Sequence, residues 1–375
     1  MAIPRSVLLP ARPVWTHVIS RCVRKAYLCG GRDGRWEYRR QWIEDRLAEL
    51  TKVFAVEVAS YAVMSNHVHA VVRMSPEIAA SWSADEVATR WLAVFGKNAD
   101  KMVVNGDRGS VTQSFVANAE WIAQRRERLA SLAWFMRAFK EPLARRANLE
   151  EKCSGRFWEG RFTSVPLLDQ AALVACMAYV DLNPVRARMA PTPETSVFTS
   201  VRQRAQARQR HRVANRLSTR ESAVTAAAAK PAEKDADFVA LTEHELRGAG
   251  VTGTNEAAVR ASPEAGIFVA PLARCRHLAE GAPTSSWTLS TDDYLTLVDL
   301  TGRVIRPGKR GAIDPRLPAI LARLDLRVND WIATMVGWRQ MQGSGIGHPE
   351  SRQAAAATRK LQWIRNRCPL FARRA

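Results

Sequence analysis

The chain has no apolar run approaching the roughly 20 residues that a membrane-spanning helix requires, so no such helix is expected. Its first fifteen residues carry Arg5 and Arg12 but neither a long apolar stretch nor a small-residue cleavage site. The expectation is a chain without a signal peptide, working in the cytoplasm. Cysteine is sparse and scattered: Cys22, Cys29, Cys153, Cys176, Cys275 and Cys368, with no CxxC pair. That spacing argues against a zinc ribbon or a disulfide framework and fits reduced packing residues. Acidic residues are also short, 36 against 56 lysines and arginines, and no internal repeat is visible.

What is present is positive charge. A net charge of +20 and a pI near 10.5 attract polyanions and speed encounter with them, so nucleic acid is the expected partner. A generally arginine-rich protein would show the same excess, and charge does not distinguish DNA from RNA or an enzyme from a passive binder. A length of 375 residues allows two domains, each burying its own core.

Hydrophobic patterning gives an order of elements. Val14 to Cys22 reads as a strand, Trp36 to Thr51 as an amphipathic helix, Phe54 to Met64 and His67 to Met74 as two strands joined by a tight turn at Ser65-Asn66. Ser83 with Glu86 three residues on is a capping-box pattern, which predicts a helix to Phe95. Residues 96 to 113 read as an inserted loop, and 117 to 148 as helix broken near Pro142. A turn and fourth strand follow over 155 to 168, then a helix from the cap Asp169 to Leu182, closed by Pro184. The order β-α-β-β-α-β is that of a ferredoxin-like antiparallel sheet, an α+β fold expected to carry its helices on one face and leave the other for a ligand.

Composition shifts after residue 189. Seven arginines and no acidic residue lie between Ser200 and Arg220, followed by a low-complexity alanine-rich stretch. The expected organisation is a first domain over 1–189, a mobile basic linker over 190–236 and a mainly helical accessory domain over 237–375. Asp292 to Leu300 and Leu317 to Leu326 are its clearest helical pieces, with Arg303, Arg306, Lys309 and Arg310 between them.

Two short patterns carry chemistry. His67 and His69 lie at i and i+2 on a predicted strand, so both imidazoles face one side and can chelate one cation. Alone, such a pair is weak evidence. Tyr179 and Asn183 lie four apart on a predicted helix and share its face. Tyr179 has the bland reading of an interior aromatic, and Asn183 that of a helix cap. Taken together the residues suit phosphodiester chemistry, which needs an aligned nucleophile and a cation against the phosphate. The Asn183 side-chain oxygen would be the third ligand. Imidazole donors favour Mn²⁺ binding, with Mg²⁺ the other candidate.

YAVMSNHVHAVV (61–72), FMRAFKEPLARR (135–146), GRFWEGRF (155–162) and AYVDLNPVRA (178–187) together resemble the single-tyrosine HUH transposases of insertion sequences, in particular the REP-associated tyrosine transposases and their long relatives. The resemblance covers about residues 10–200. It implies a metal-dependent tyrosine DNA strand transferase, a transposase or endonuclease acting on single-stranded DNA, often at hairpins. His67, His69 and Asn183 would hold Mg²⁺ or Mn²⁺. Tyr179 would form a 5′-phosphotyrosine link and free a 3′-OH, which later reverses the link and rejoins strands. Four residues before Tyr179 stands Ala175, so a second tyrosine is absent there. The 112 residues between His67 and Tyr179 exceed the spacing of compact members, and the C-terminal third has no counterpart in them.

Arg156, Arg161 and Arg186 flank these motifs and are expected at DNA phosphates. Trp158 and Phe157 would either stack on an unpaired base or be buried against the sheet. His17 would either line the site or be a satisfied sheet histidine, and Asn66 is expected to shape its turn. Partners are single-stranded or hairpin DNA and no membrane, with the protein a monomer or homodimer. A domesticated protein that binds hairpin DNA without cleaving it is the alternative.

Overall fold

A computed structural model describes residues 14–31, 34–96, 112, 113, 115–228, 267–271, 275, 289–305, 315–323, 326–338, 345–359, 361, 363 and 364. The expected loop at 96–113 lies largely outside these residues, as do Arg306, Lys309 and Arg310.

Four strands, β1 (Thr16–Arg21), β2 (Val56–Val63), β3 (His67–Met74) and β4 (Thr163–Pro166), form one sheet in the order β2-β3-β1-β4, with every neighbouring pair antiparallel. That is the ferredoxin-like order, and the fold is α+β. The alternation of side chains divides the sheet cleanly. Val18, Val68, Ala70 and Val72 enter one core, while His17, His69 and Val71 face the other way.

The first face is covered by α1 (Arg39–Val53), whose Ile43, Leu47, Leu50 and Val53 are buried at helical spacing, together with α3 (Ala84–Phe95), α4 (Ala119–Leu129) and α5 (Leu132–Glu150). A short α2 (Pro76–Ser81) precedes α3. The capping box at the start of α3 is formed: Ser83 Oγ accepts from Glu86 N, and Glu86 accepts from Ser83 N.

Helices were expected on one face, but they cover both. The second face lies under α6 (Gln170–Asp181), in which every residue from Ala171 to Asp181 is buried. A helix apolar all round needs cover on both sides. The sheet supplies one side. The other comes from α9 (Thr291–Val304), α10 (Arg316–Arg323) and α11 (Val328–Gly337), whose Tyr294, Leu297, Val298, Leu321 and Trp331 share one core with α6. The segment expected as a separate accessory domain thus packs on the sheet-bearing half. A further helix, α12 (Pro349–Thr358), packs near the start of α6 through Ala356 against Leu168.

Two other expectations change. The stretch expected as a mobile linker is helical over α8 (Ser200–Ala228), and Val201, Arg204 and Ala207 are buried in its first turns. Two of its arginines are engaged within the fold: the buried Arg204 donates to the Ala270 carbonyl, and Arg208 pairs at the surface with Asp292. The break expected near Pro142 falls instead at Ala130–Ser131, and Pro142 sits inside α5. A proline there removes the N–H that would bond the carbonyl four residues back. Arg46 supplies the missing donors, with Nε 3.1 Å and Nη2 2.9 Å from the Ala138 oxygen.

Candidate active site

The site is assembled from β1, β3, α6 and the end of α11. On β3 the His67 and His69 rings stand 4.8 Å apart, centroid to centroid. In the sheet register Ile19 lies opposite His69, which puts His17 diagonally across on the same face. The contact is direct: His17 Nε2 lies 2.9 Å from His69 Nδ1, with the rings stacked at 5.1 Å. His17 is fully enclosed, and burial, followed by the nearby charge of His67, pushes it down to about 3.

Asp169 starts α6 as its N-cap, accepting from Ala172 N at 2.8 Å. Two and a half turns on, the helix delivers Tyr179 against this face. Its ring centroid is 5.9 Å from that of His69 and 6.2 Å from that of His17, edge-on to both. Trp338 stacks on the phenol at 5.1 Å and 22° and also lies 6.4 Å from the His17 ring. The Arg186 guanidinium lies 5.2 Å from the ring centroid, and its Nη2 donates to the Val336 carbonyl. Tyr179 is left 3% exposed.

Asn183 opens the short helix α7 (Asn183–Arg186), one turn past Tyr179. Its Nδ2 donates to the Tyr179 carbonyl at 3.2 Å. Behind the helix, Asp181 accepts from Val201 N at 3.1 Å, from Tyr294 Oη at 2.6 Å and from Ser200 Oγ. Burial raises Asp181 above the ordinary carboxylate value, against the opposing pull of Arg204 and these donors.

The structure therefore brings His67, His69, Tyr179 and Arg186 together and sets Asn183 beside the tyrosine. Arg156 and Arg161 are exposed on the segment that leads into β4. Trp158 is a correction to the stacking role: it is 7% exposed, and its indole N–H is given to the Lys140 carbonyl at 2.9 Å. It bridges β1 and α5, and Phe157 beside it is buried too. Two contributors escaped the sequence reading. Trp338 carries no local motif, and its stack on Tyr179 spans 159 residues of chain. Asn66 was assigned only to a turn, yet its Oδ1 lies 2.6 Å from His67 Nδ1.

Among the described residues no group of three or more His, Cys, Asp or Glu side chains is arranged to hold a metal ion. His67 and His69 offer imidazole nitrogens on one strand face, donors that an ion such as Mn²⁺ accepts. No described helix is long and apolar enough to cross a membrane.

No model of a known protein family matches the sequence, and no curated protein matches it. One solved structure is similar, that of a REP-associated tyrosine transposase bound to a REP hairpin, at 11% identity and a TM-score of 0.31, covering 53% of this chain and 82% of that one. At this level of likeness neither residue roles nor activity transfer.

Proposed function

We propose that the protein cleaves and rejoins single-stranded or hairpin DNA, with Tyr179 as the nucleophile and His67, His69 and Asn183 as ligands of a divalent cation, Mn²⁺ or Mg²⁺. One observation carries the reading: a phenol on a helix lies against His69, centroids 5.9 Å apart, and His67 stands beside His69 on the same strand face at 4.8 Å. Side chains 110 residues apart in sequence converge on one point, where either motif alone would have a bland explanation.

When bound, the cation would neutralise charge on the scissile phosphate. The chain's own groups do the rest. The Tyr179 oxygen attacks phosphorus and gives up its phenolic proton, the bond to the 3′ oxygen of the preceding nucleotide breaks, and that oxygen takes up a proton and leaves as a free 3′-OH. The 5′-phosphate is then held on Tyr179. Attack by a 3′-OH reverses the sequence, so the bond energy stays in the ester and no nucleotide cofactor is consumed. Arg186 brings a positive charge beside the phenol, where a phosphate would lie. The charge of +20 supplies long-range attraction for the strand. Tyr179 is 3% exposed, enclosed by Trp338, His17, His69 and Arg186.

The enclosure of Tyr179, with Asn183 turned toward its carbonyl, also favours a second reading, a hairpin-DNA binder that does not cut. A 5′-labelled hairpin oligonucleotide incubated with Mn²⁺ separates the two on a denaturing gel. Cleavage predicts a shorter labelled strand whose yield falls to background with EDTA. A binder shifts the oligonucleotide on a native gel and leaves its length unchanged.

A further inference from the structure

A neutral imidazole ligates a metal only through the nitrogen that lacks the proton, so each histidine of a metal site must be held in one tautomer. Two contacts at this site bear on that choice. Asn66 Oδ1 lies 2.6 Å from His67 Nδ1, while Asn66 Nδ2 donates to the Lys25 carbonyl at 2.9 Å. The Lys25 carbonyl only accepts, so the amide nitrogen must face it and the amide oxygen must face His67. An amide oxygen also only accepts, so His67 Nδ1 carries the proton and the lone pair is on Nε2.

The support for Asn66 is built into the backbone. Cys22 N donates to the Asn66 carbonyl at 2.9 Å, and Cys29 N to the Ser65 carbonyl at 2.8 Å, pinning the turn before β3. Arg24 and Lys25 both hold positive φ, 54° and 56°. Two successive non-glycine residues in the left-handed region cost on the order of 1 kcal/mol each and persist only where surrounding contacts impose them.

On the other strand, His17 Nε2 lies 2.9 Å from His69 Nδ1, and one proton lies between them. If His69 donates it, its lone pair is on Nε2, matching His67. If His17 donates it, the two neighbours on β3 hold opposite tautomers.

We propose that Asn66 and His17 are positioning residues that hold His67 and His69 with the proton on Nδ1, presenting both Nε2 lone pairs as metal ligands. The inference rests on the reading of His67 and His69 as ligands. It adds that their geometry is preset before metal or DNA arrives, by residues that never touch the ion. His17, as the acceptor, then carries its own proton on Nδ1.

Long-range ¹H–¹⁵N correlation spectra of the metal-free full-length protein, labelled with ¹⁵N-histidine, read the tautomers directly at neutral pH, with His67→Gln and His69→Gln assigning the signals. The expected result is unprotonated Nε2 in both residues. Asn66→Ala then mixes the tautomers of His67 alone, Asn66→Asp keeps an acceptor oxygen and restores them, and His17→Phe mixes those of His69 alone. Mn²⁺ binding weakens about 10- to 100-fold in Asn66→Ala, the usual effect of losing an outer partner of a metal-ligating histidine. Protonated Nε2 on either residue in the wild-type spectrum overturns the proposal, as do tautomers unmoved by Asn66→Ala and His17→Phe. The wild-type spectrum decides even if a variant fails to fold. Tautomers as stated in a protein that cuts no DNA support this assignment and count against the cleavage reading alone.

Discussion

At the scale of single residues, the candidate site side chains were legible where a local period fixed their direction. His67 and His69 had to share a face because strand side chains alternate, whereas Tyr179 and Asn183, read as four apart on one helix, fall on α6 and α7. Trp338 and the His17–His69 contact were not legible, since they depend on strand order and long-range packing that no window of sequence contains. The buried His17 also gives a pH prediction. It is held at about 3 in the native state against 6.5 ordinarily, chiefly by burial. Between these values the unfolded chain binds a proton that the native chain does not, so stability is present above 6.5 and is lost as pH falls toward 3. The loss reaches up to about 1.4 kcal/mol per pH unit. Urea unfolding at pH 7, 5.5 and 4.5 should show a steeper decline for wild type than for His17→Gln. Equal slopes would mean that His17 is protonated in the native protein.

At the scale of elements, α5 shows how a tertiary contact can override a local rule. Proline inside a helix leaves a carbonyl without its donor, which made a break near Pro142 the natural expectation. Arg46, nearly a hundred residues earlier, caps the Ala138 carbonyl with two nitrogens and lets the helix continue. Because Ala138 is buried, losing both donors should cost about 1–3 kcal/mol. Arg46→Met is expected to destabilise by that amount in the wild type and by clearly less in a Pro142→Ala background, where the backbone N–H returns. A double-mutant cycle by chemical denaturation measures the difference, and equal losses would remove Arg46 from this role. The strand and helix order and the cap at Ser83 were legible because propensity, period and turn residues agreed. The face assignment was not, although the run from Ala171 to Val180 is apolar all round and so already signalled cover from two sides.

At the scale of the molecule, the helix that carries Tyr179 is gripped between the sheet and the C-terminal helices. Asp181 is the polar centre of that grip, joining α6 to α8 through Ser200 and Val201 and to α9 through Tyr294. Removing the carboxylate takes the acceptor from the buried Ser200, Val201 and Tyr294 donors, so Asp181→Ala should cost about 3 kcal/mol or more. Asp181→Asn keeps an acceptor for Ser200 and Val201 and should cost much less. A thermal melt separates the two, and equal effects would show that the network contributes little to holding the helices together. The central claim, that this assembly presents Tyr179 to a DNA phosphate, is tested most directly by mass. After incubation of the full-length protein with hairpin DNA and Mn²⁺, then nuclease trimming and proteolysis, the peptide spanning residue 179 should gain the mass of a phosphoryl nucleotide. That gain should vanish in Tyr179→Phe while hairpin binding is retained. A peptide without added mass under every divalent cation tried, or an adduct that survives Tyr179→Phe, would contradict the account.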